Sequence, residues 1–242
     1  MPAAAATYAL PREWRQRWPV RRFGFHGLSH AWAARRAAEL VGCDDRRVVT
    51  CHLGSGASLA AVRGGVSVDT TMGFTPLDGL VMATRSGGLD PGLVTWLTTA
   101  AGIAVAEVED QLNHRSGLLA LAGTADMKAV TEQARRGRPD AVLALGVYIH
   151  RLCGQVAAMT AALGGLDVLV FTGGVGEQSA DVRARAAAGV SFLGVAVDPA
   201  ANAGARGDCD ITAAGAGVRT LVLAAREDLE IARLTRAALA TS

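Results

Sequence analysis

Three short apolar runs broken by glycines stand close together in the chain and constrain its fold more than any other feature. The runs are residues 48–53, 58–62 and 66–69, and they are separated by Gly54-Ser55-Gly56 and by Gly64-Gly65. Apolar runs between glycine turns predict antiparallel β-strands. A Gly-x-Gly turn leaves its backbone N–H groups unshielded and suited to hold a phosphate. The same turn is also typical of an ordinary hairpin, so this pattern alone leaves both interpretations open.

The composition indicates a globular α/β protein. Half of the 242 residues are hydrophobic and the formal net charge is +2, which allows a sizeable core and argues against general nucleic-acid binding. Five arginines between positions 12 and 22 surround Trp14 and Trp18, a combination that can bind single-stranded nucleic acid. Because the two indoles are four residues apart, we expect instead a short helix with both indoles packed inward.

Signals for a membrane, a disulfide or a metal are weak. The start, MPAAAATYALP, lacks the basic segment and long apolar core of a signal peptide, and we expect no membrane span. The cysteines form no C-x-x-C pair, so the sequence predicts reduced thiols in a cytoplasmic protein; they are Cys43, Cys51, Cys153 and Cys209. His26 and His30 have the spacing of two zinc ligands on a helix, but no third ligand is evident.

Periodicity and capping signals predict the remaining elements. We expect helices over residues 29–41, from Pro91 toward Gly102, and over 105–112, 125–136, Pro139–Leu163 and 228–240. Further strands are expected at 167–171, 192–197 and 219–223. Apolar residues recur without a fault along the helix Pro139–Leu163, namely Val142, Leu145, Ile149, Leu152, Val156, Met159 and Leu163. This stripe favours a core-facing helix, and a dimer interface is the competing interpretation.

A second glycine-rich turn follows the strand expected at 167–171. The residues from Thr172 to Glu177 (TGGVGE) precede a helix expected from Ser179, an arrangement in which a phosphate can approach a helix N-terminus. The full G-x-G-x-x-G and Walker A patterns are absent. A Rossmann dehydrogenase half, which would bind NADH, is therefore an alternative that we do not favour.

Two glycine turns together with the loop around Arg85 indicate a nucleotide cleft for phosphoryl transfer, which needs donors and cations at the phosphoryl oxygens. Arg85 and His26 are the candidate side chains for this role. Glu227 and Asp228 follow the last expected strand and could hold magnesium. Each residue also has a structural interpretation: a solvated arginine, a hydrogen-bonded histidine, and carboxylates that favour the dipole of the final helix.

Four segments resemble the acetate kinase family, in the family's order: residues 21–30 (RRFGFHGLSH), 51–56 (CHLGSG), 69–87 and 171–178. The run MGFTPLDGLVMATRSGGLD, from Met72 to Asp90, is long and specific. The resemblance extends over essentially the whole chain. It implies an α/β, actin/sugar-kinase/Hsp70-like (ribonuclease H-like) domain with a mixed sheet flanked by helices. It also implies reversible transfer of the γ-phosphate of ATP to acetate with Mg²⁺ or Mn²⁺, giving acetyl phosphate and ADP.

Matching the family's motifs position by position implies roles for individual residues. His26 and Arg85 match the pair that stabilises the transition state, Phe25 matches the pocket for the acyl methyl, and Glu227 matches the magnesium-linked glutamate. The implied nucleotide-binding residues are His52, Leu53, Gly54, Ser55 and Gly56 at the phosphates, Asp126, Met127 and Lys128 at the adenosine, and Gly174, Val175, Gly176, Glu177 and Gln178 in a second loop.

Several positions depart from the family pattern. Ser55 and Gln178 stand where the family has asparagine, and Leu28 stands where it has threonine. Met127-Lys128 replaces Phe-Arg, which removes a guanidinium that could stack on adenine.

The family's first strand, with its Asn-x-Gly-Ser-Ser-Ser-x-Lys motif, has no counterpart in this sequence, nor has the substrate-binding arginine of the first domain. We therefore expect a lead-in segment over 1–22, a nucleotide-binding second domain over 23–227, and a final helix over 228–242 that packs on the family's first domain. The resemblance implies a homodimer. We expect very low activity from this chain alone, with a catalytically inactive nucleotide-binding fragment and a propionate kinase as alternatives.

Overall fold

A single six-stranded sheet organises the chain in the computed structural model, which describes residues 1–240. The strands are β1 (Arg47–Leu53), β2 (Ala57–Arg63), β3 (Val66–Thr70), β4 (Val168–Thr172), β5 (Cys209–Asp210) and β6 (Arg219–Val222), in the order β3-β2-β1-β4-β6-β5. The three central strands, β1, β4 and β6, run parallel to one another. Toward the edges, β2 pairs antiparallel with β1, β3 with β2, and β5 with β6. The three strands predicted around the glycine turns therefore form as expected, in a mixed sheet.

Twelve α-helices accompany the sheet within residues 1–240. They are α1 (Ala3–Ala6), α2 (Arg12–Arg17), α3 (Gly27–Val41), α4 (Pro91–Thr99), α5 (Val105–His114), α6 (Gly117–Ala122), α7 (Met127–Arg135), α8 (Pro139–Leu163), α9 (Gly173–Gln178), α10 (Ala180–Gly189), α11 (Pro199–Gly204) and α12 (Glu227–Ala240). The short helices α6, α9 and α11 lie in segments for which the sequence predicted no helix. In α9 the glycine-rich turn itself winds into a helix before Ser179 caps α10.

Helices cover both faces of the sheet because the central strands are apolar on both faces. On β4, Val168 and Val170 pack with Ala33 and Ala37 of α3. Leu169 and Phe171, the alternate residues, belong to the larger core that includes α8. Near-continuous apolar strands of this kind are typical of parallel strands buried between two helical layers.

Helix α8 has the predicted bounds and lies in the larger core. Leu145, Leu152 and Val156 are buried there, whereas Val142 is half exposed. Among the described residues, α8 alone is long and apolar enough to cross a membrane by length and composition. Nine of its 25 residues are buried, as expected of a helix with one core-facing stripe.

Two expectations about the periphery are wrong. The run 192–197 is not a strand: it contains a 3₁₀ helix, Ser191–Leu193, and only isolated bridges at Val195 and Val197. Gly194 takes φ +87° in the middle of the run and interrupts it. Trp14 and Trp18 are 52% and 47% exposed rather than packed inward, because α2 is a six-residue helix with no buried residue.

The final helix, α12, begins at Glu227, one residue before the expected boundary. It packs on α3, where buried Glu230 accepts hydrogen bonds from Arg35 and Arg233 at 2.6 Å each. Leu229, Leu234 and Leu239 remain exposed. Thr241 and Ser242, the end of the expected helix, lie outside the described residues.

Candidate active site

The two glycine-rich segments meet at one edge of the sheet. β1 and β4 are parallel, with His52 opposite Thr172, so the loop after β1 and helix α9 after β4 leave the sheet side by side. Gly173 sits at this junction with φ +76°, and a Cβ there would lie 2.8 Å from the carbonyl oxygen of Leu53. Only glycine allows both the backbone conformation and the close approach of the two segments.

A cavity of about 720 Å³ opens at this junction. It is lined by residues of all three predicted nucleotide segments, namely Gly54, Ser55, Asp126, Met127, Lys128, Gly174, Val175 and Gln178. Five further predicted residues do not line it. Leu53 and Gly176 are buried in the fold, and the Glu177 carboxylate accepts a hydrogen bond from the Ala225 N–H. His52 and Gly56 lie beside His26 instead. The structure therefore brings segments separated by more than a hundred residues to one cavity.

The adenosine segment contributes one exposed cation to this cavity. Asp126 caps α7 by accepting a hydrogen bond from the Lys128 N–H at 2.9 Å, and the side chain of Met127 is buried in the core. Lys128 is exposed and lines the cavity. Arg135, seven residues further along α7, also lines the cavity. The sequence motifs did not indicate this residue.

His26 lies just beyond the glycine loop in an uncommon backbone conformation. Its φ is +57°, and no other non-glycine residue among positions 1–240 has a positive φ. Its ring stacks on His52 with centroids 4.4 Å apart. A Cβ placed on Gly56 would lie 3.3 Å from His26 Nε2 and 3.4 Å from Arg85 Nη1. The bare backbone of Gly56 therefore borders both predicted transition-state residues.

Arg85 is half-buried and held by few contacts. Its Nη1 donates to the carbonyl of Pro76 at 3.4 Å and lies 3.7 Å from Met82 Sδ. The loop that carries it is tied to the glycine loop, because the Ala83 N–H donates to the carbonyl of Ser55 at 3.2 Å. No carboxylate within the described chain forms an ion pair with Arg85, so its charge is available to an anion.

Three histidines, each hydrogen-bonded to a hydroxyl group, lie together in what we call the histidine cluster: His26, His30 and His52 with Ser29, Thr50 and Ser58. His26 and His30 share Ser58, whereas His52 joins the cluster by stacking on His26. Ser58 Oγ lies 2.9 Å from His26 Nδ1 and 2.7 Å from His30 Nε2. His30 Nδ1 lies 2.7 Å from Thr50 Oγ1, and His52 Nδ1 lies 2.7 Å from Ser29 Oγ. Ser29, expected to cap α3, instead lies buried within the helix and bonds His52, while His26 occupies the cap position.

Burial keeps the three imidazoles neutral. It lowers the pKa of His30 to about 3, with help from His52 and His26, and it lowers the pKa of His52 to about 4. Burial also lowers the pKa of His26, an effect that Glu227 opposes and Arg85 reinforces. These influences place Glu227 and Arg85 each within electrostatic reach of His26.

Glu227 is positioned by contacts to the segment that precedes it. Glu177 accepts the Ala225 N–H at 3.0 Å, and Trp32 donates to the carbonyl of Ala224 at 2.9 Å. The carboxylate of Glu177 thus supports the approach to α12 and does not line the cavity. Asp228, considered beside Glu227 for metal binding, instead pairs with Arg226 at 2.8 Å on the surface.

The described residues contain no group of three histidine, cysteine or acidic side chains that could hold a metal ion by themselves. His26 and His30 share hydrogen bonds with Ser58 and do not form a zinc site. Glu227 remains as a single carboxylate within electrostatic reach of His26. One carboxylate suits a magnesium ion that a substrate phosphate also binds, since Mg²⁺ keeps several waters.

Phe25 precedes His26 but lines a different cavity. This cavity measures about 250 Å³ and also includes Phe23, Gly27 and His30. Phe25 packs partly against the larger core. His26 and Arg85 do not line this cavity, so the described chain does not join the expected acyl pocket to the two transition-state residues.

Comparisons with known proteins show the family to which the chain belongs. A sequence model described as the Acetokinase family matches residues 1–233. The chain belongs to this family. Proteins named acetate kinase from Synechococcus sp. (strain JA-2-3B'a(2-13)) and Gloeobacter violaceus are 49% and 50% identical to it over 235 and 236 residues, or 96% of the chain. The matches cover 58% of each relative's length, so this chain spans less than two thirds of those family members.

Solved structures of the family share the fold. The acetate kinase of Porphyromonas gingivalis matches with a TM-score of 0.94 at 39% identity, over 99% of this chain and 61% of the other. A propionate kinase from Francisella tularensis matches with a TM-score of 0.91 at 38% identity, over 96% of this chain and 60% of the other. These likenesses confirm the actin/sugar-kinase-like α/β fold class expected from the sequence motifs.

Proposed function

We propose that this chain is the nucleotide-binding part of a phosphotransferase that moves the γ-phosphate of ATP to a short carboxylate. The products are an acyl phosphate and ADP, and the reaction is reversible. One observation carries the proposal: the glycine loop lies between the cavity and the transition-state pair. Gly54 and Ser55 line the cavity, and Gly56 borders both His26 and Arg85. A nucleotide in the cavity can therefore direct its terminal phosphate toward those two side chains.

The cavity suits a nucleotide in size and chemistry. Its volume of about 720 Å³ lies in the usual range for small-molecule sites. Backbone groups of Gly54, Ser55 and Gly174 are candidates to bind phosphates. Lys128 and Arg135 add positive charge on the side of α7, where the resemblance implies the adenosine.

His26 and Arg85 supply the electrostatic part of catalysis. Charge spreads over the equatorial phosphoryl oxygens during transfer, and donors fixed in advance stabilise it. Arg85 offers a permanent charge with several N–H groups. A neutral His26 donates one hydrogen bond through its single N–H and, unlike an imidazolium, carries no second proton.

A divalent cation belongs to the same proposal, and the family's use of one supports it. Glu227 would hold the ion together with phosphate oxygens and water, and the ion would neutralise charge on the β- and γ-phosphates. Mg²⁺ and Mn²⁺ are both candidates.

We propose acetate or propionate as the acceptor, with Phe25 at the acyl methyl. Relatives of similar likeness are named acetate kinase and propionate kinase. Apolar pockets discriminate a single methylene only weakly. Because much of the relatives' length lies outside this chain, we propose that the 242-residue chain alone has very low turnover. Transfer depends on groups held in position around the whole phosphoryl group.

The sequence provides a direct test of nucleotide binding, because Lys128 is its only lysine. Periodate-oxidised ATP, whose ribose dialdehyde reacts with amines, should label Lys128 after borohydride trapping, and excess ATP should protect it. Peptide mass mapping separates this label from one on the N-terminal amine. Lys128→Arg should retain the charge and lose the label. Labelling that ATP does not suppress would contradict the proposed site.

A hydroxamate assay for acetyl phosphate tests the reaction separately. We expect turnover far below that of a full-length relative. Turnover within tenfold of such a relative would contradict the proposal that groups outside this chain are required. Specific labelling of Lys128 with no turnover under any condition, including addition of the relatives' first domain, would favour the second candidate, a catalytically inactive nucleotide-binding protein.

We also propose a homodimer in the cytoplasm. Helix α4 supports an intermolecular contact, since it is apolar yet buries no residue, with Leu93 and Trp96 exposed. Unpaired cysteines are consistent with a reducing compartment. Sedimentation of Trp96→Glu should give a monomer. The matched variant Leu234→Glu, on the face of α12 that we expect to contact the family's first domain, should leave the dimer intact.

A further inference from the structure

We propose that Ser58 and His30 are positioning residues that hold His26 in the tautomer with its proton on Nε2. The inference rests on the proposed role of His26 at the transferring phosphoryl group. It concerns two residues that never face the cavity or the phosphate. Their effect reaches His26 through hydrogen bonds alone.

The contacts form an unbranched chain of three short links. Thr50 Oγ1 lies 2.7 Å from His30 Nδ1, and His30 Nε2 lies 2.7 Å from Ser58 Oγ. Ser58 Oγ lies 2.9 Å from His26 Nδ1. Thr50, Ser58 and His30 are all buried, so water does not substitute for any of these partners.

Proton counting allows this chain only two arrangements. Each hydroxyl has one hydrogen to donate and each neutral imidazole has one N–H. His30 stays neutral because burial lowers its pKa to about 3, so it donates from one nitrogen and accepts at the other. An arrangement in which both imidazoles donate to Ser58 would leave the buried Ser58 proton without an acceptor among these contacts. Every link therefore runs in the same direction, and the direction determines which nitrogen of His26 carries the proton.

The proposed role of His26 selects one direction. Both directions keep the 2.7 Å contact between Thr50 Oγ1 and His30 Nδ1, and the reverse direction adds a hydrogen bond of 3.4 Å from Thr50 to the carbonyl of Ala60, which is long for an O–H donor. An N–H on His26 Nε2, facing the phosphoryl oxygens, requires the direction that starts at Thr50. Thr50 then donates to His30, His30 donates to Ser58, and Ser58 donates to His26 Nδ1. The single proton of His26 is left on Nε2.

This tautomer is the one that phosphoryl transfer requires. His26 Nε2 borders Gly56 on the side shared with Arg85. Phosphoryl oxygens are acceptors, so an N–H at this atom stabilises them and a bare lone pair repels them. The reverse direction of the chain would place the lone pair toward the phosphate.

Nitrogen NMR of the intact 242-residue chain, labelled with ¹⁵N-histidine, measures this directly. The His26 signals are assigned by their loss in His26→Gln. We expect a single Nε2–H tautomer in the wild-type chain. A predominant Nδ1–H tautomer would overturn the proposal, without any variant being needed.

Ser58→Ala should convert His26 to a mixture of tautomers. The matched control is Ser29→Ala, which removes another buried serine–histidine hydrogen bond in the same cluster, to His52; it should leave His26 in one tautomer. Thr50→Val, which keeps the side-chain shape and removes the first donor, should also give a mixture, and it serves if Ser58→Ala does not fold. An unchanged single tautomer in the folded donor variants, or an equal change in Ser29→Ala, would overturn the proposal.

Labelling of Lys128 and residual turnover separate this inference from the proposed function. Ser58→Ala should retain labelling and the KM for ATP, while kcat falls with the lost fraction of the Nε2–H tautomer. Loss of labelling in the wild-type chain would instead count against the nucleotide site itself. A mixed tautomer with unchanged kcat would overturn the positioning role.

Discussion

Helix α3 contributes residues to two buried polar clusters, one of which is uncharged and the other charged. Its first turn contributes Ser29 and His30 to the histidine cluster, which is neutral and linked by hydroxyl groups. Less than two turns later, Arg35 contributes to a charged cluster with Glu230 and Arg233 of α12, which we call the Glu230 cluster. The first lies beside the candidate active site, and the second attaches the final helix.

The difference between the clusters follows from what each must do. A charged group leaves water at a high cost unless an opposite charge replaces the lost hydration. Glu230, only 1% exposed, has two arginines for this purpose. The histidines have none, so burial lowers their pKa and they remain uncharged. The neutral cluster can orient an N–H at the site, whereas the charged one contributes stability.

The comparison predicts that the two clusters respond to acid in different pH ranges, and the larger effect belongs to the histidines. The pKa of His30 is lowered from 6.5 to about 3, so only the unfolded chain takes up a proton as the pH falls below 6.5. The free energy of unfolding should therefore fall between pH 6.5 and about 3. Near pH 5 the loss from His30 alone is about 2 kcal/mol, and His52 adds to it in the same direction.

Urea unfolding at pH 7.5 and near pH 5 measures this loss. His30→Gln should be destabilised at pH 7.5 and should show a smaller further decrease on acidification. His150→Gln, which removes an exposed histidine on α8, is the matched control and should retain the full decrease. Equal stability of the wild-type chain at both pH values would show that the histidines are not held neutral.

The Glu230 cluster should show a smaller effect that does not change over the same range. Hydrogen bonds from Arg233 and Arg35 lower the pKa of Glu230 below 4.5, although burial opposes them. Its contribution is therefore fully present above about pH 4.5 and is lost as the pH falls through the lower folded value. Glu230→Gln should reduce the free energy of unfolding by about 2 kcal/mol, since two charge-assisted hydrogen bonds become ordinary ones.

The same reduction is expected at pH 7.5 and near pH 5. Both arginines are more than a third exposed, so salt should weaken the effect. Asp228→Asn breaks the surface pair with Arg226 and should cause no measurable change. If Glu230→Gln were harmless near pH 5 but destabilising at pH 7.5, the assignment of the two clusters to separate pH ranges would be wrong.

Local patterns predicted the sheet around the glycine turns and helix α8 because the residues involved are close in sequence. Gly54-Ser55-Gly56 separates β1 from β2, and the apolar stripe of α8 repeats within one segment. The run 192–197 resembled a strand equally well and failed at Gly194. An apolar run therefore predicts a strand only where no residue within it needs a left-handed backbone.

The histidine cluster could not be predicted from local patterns, since its links join residues far apart. Ser58 lies 28 residues from His30 and 32 residues from His26 in sequence. The motif residues His26 and Arg85 were candidates from the chemistry of phosphoryl transfer, and the family resemblance gave them a specific role. The resemblance assigned no role to Ser58 and Thr50, because neither side chain faces a ligand. The pairing of β1 with β2, together with the packing of α3 on β1, brings these groups together.

Tyr148 extends the comparison to a buried polar group with no partner, and it carries the smallest predicted effect. It is buried on α8 at the wall of the 720 Å³ cavity, and its hydroxyl has no hydrogen-bond partner within residues 1–240. Burial raises the pKa of this phenol, so the group stays protonated. Because an unpaired buried hydroxyl loses its hydration without compensation, Tyr148→Phe should stabilise the chain by up to about 1 kcal/mol.

The matched variant Tyr8→Phe removes a hydroxyl that accepts the Phe74 N–H at 2.8 Å and should destabilise by about 1 kcal/mol. Urea unfolding of both variants provides the measurement. Equal destabilisation by both would mean that Tyr148 has a partner, and the contrast between a partnered and an unpartnered hydroxyl group would not hold at this position.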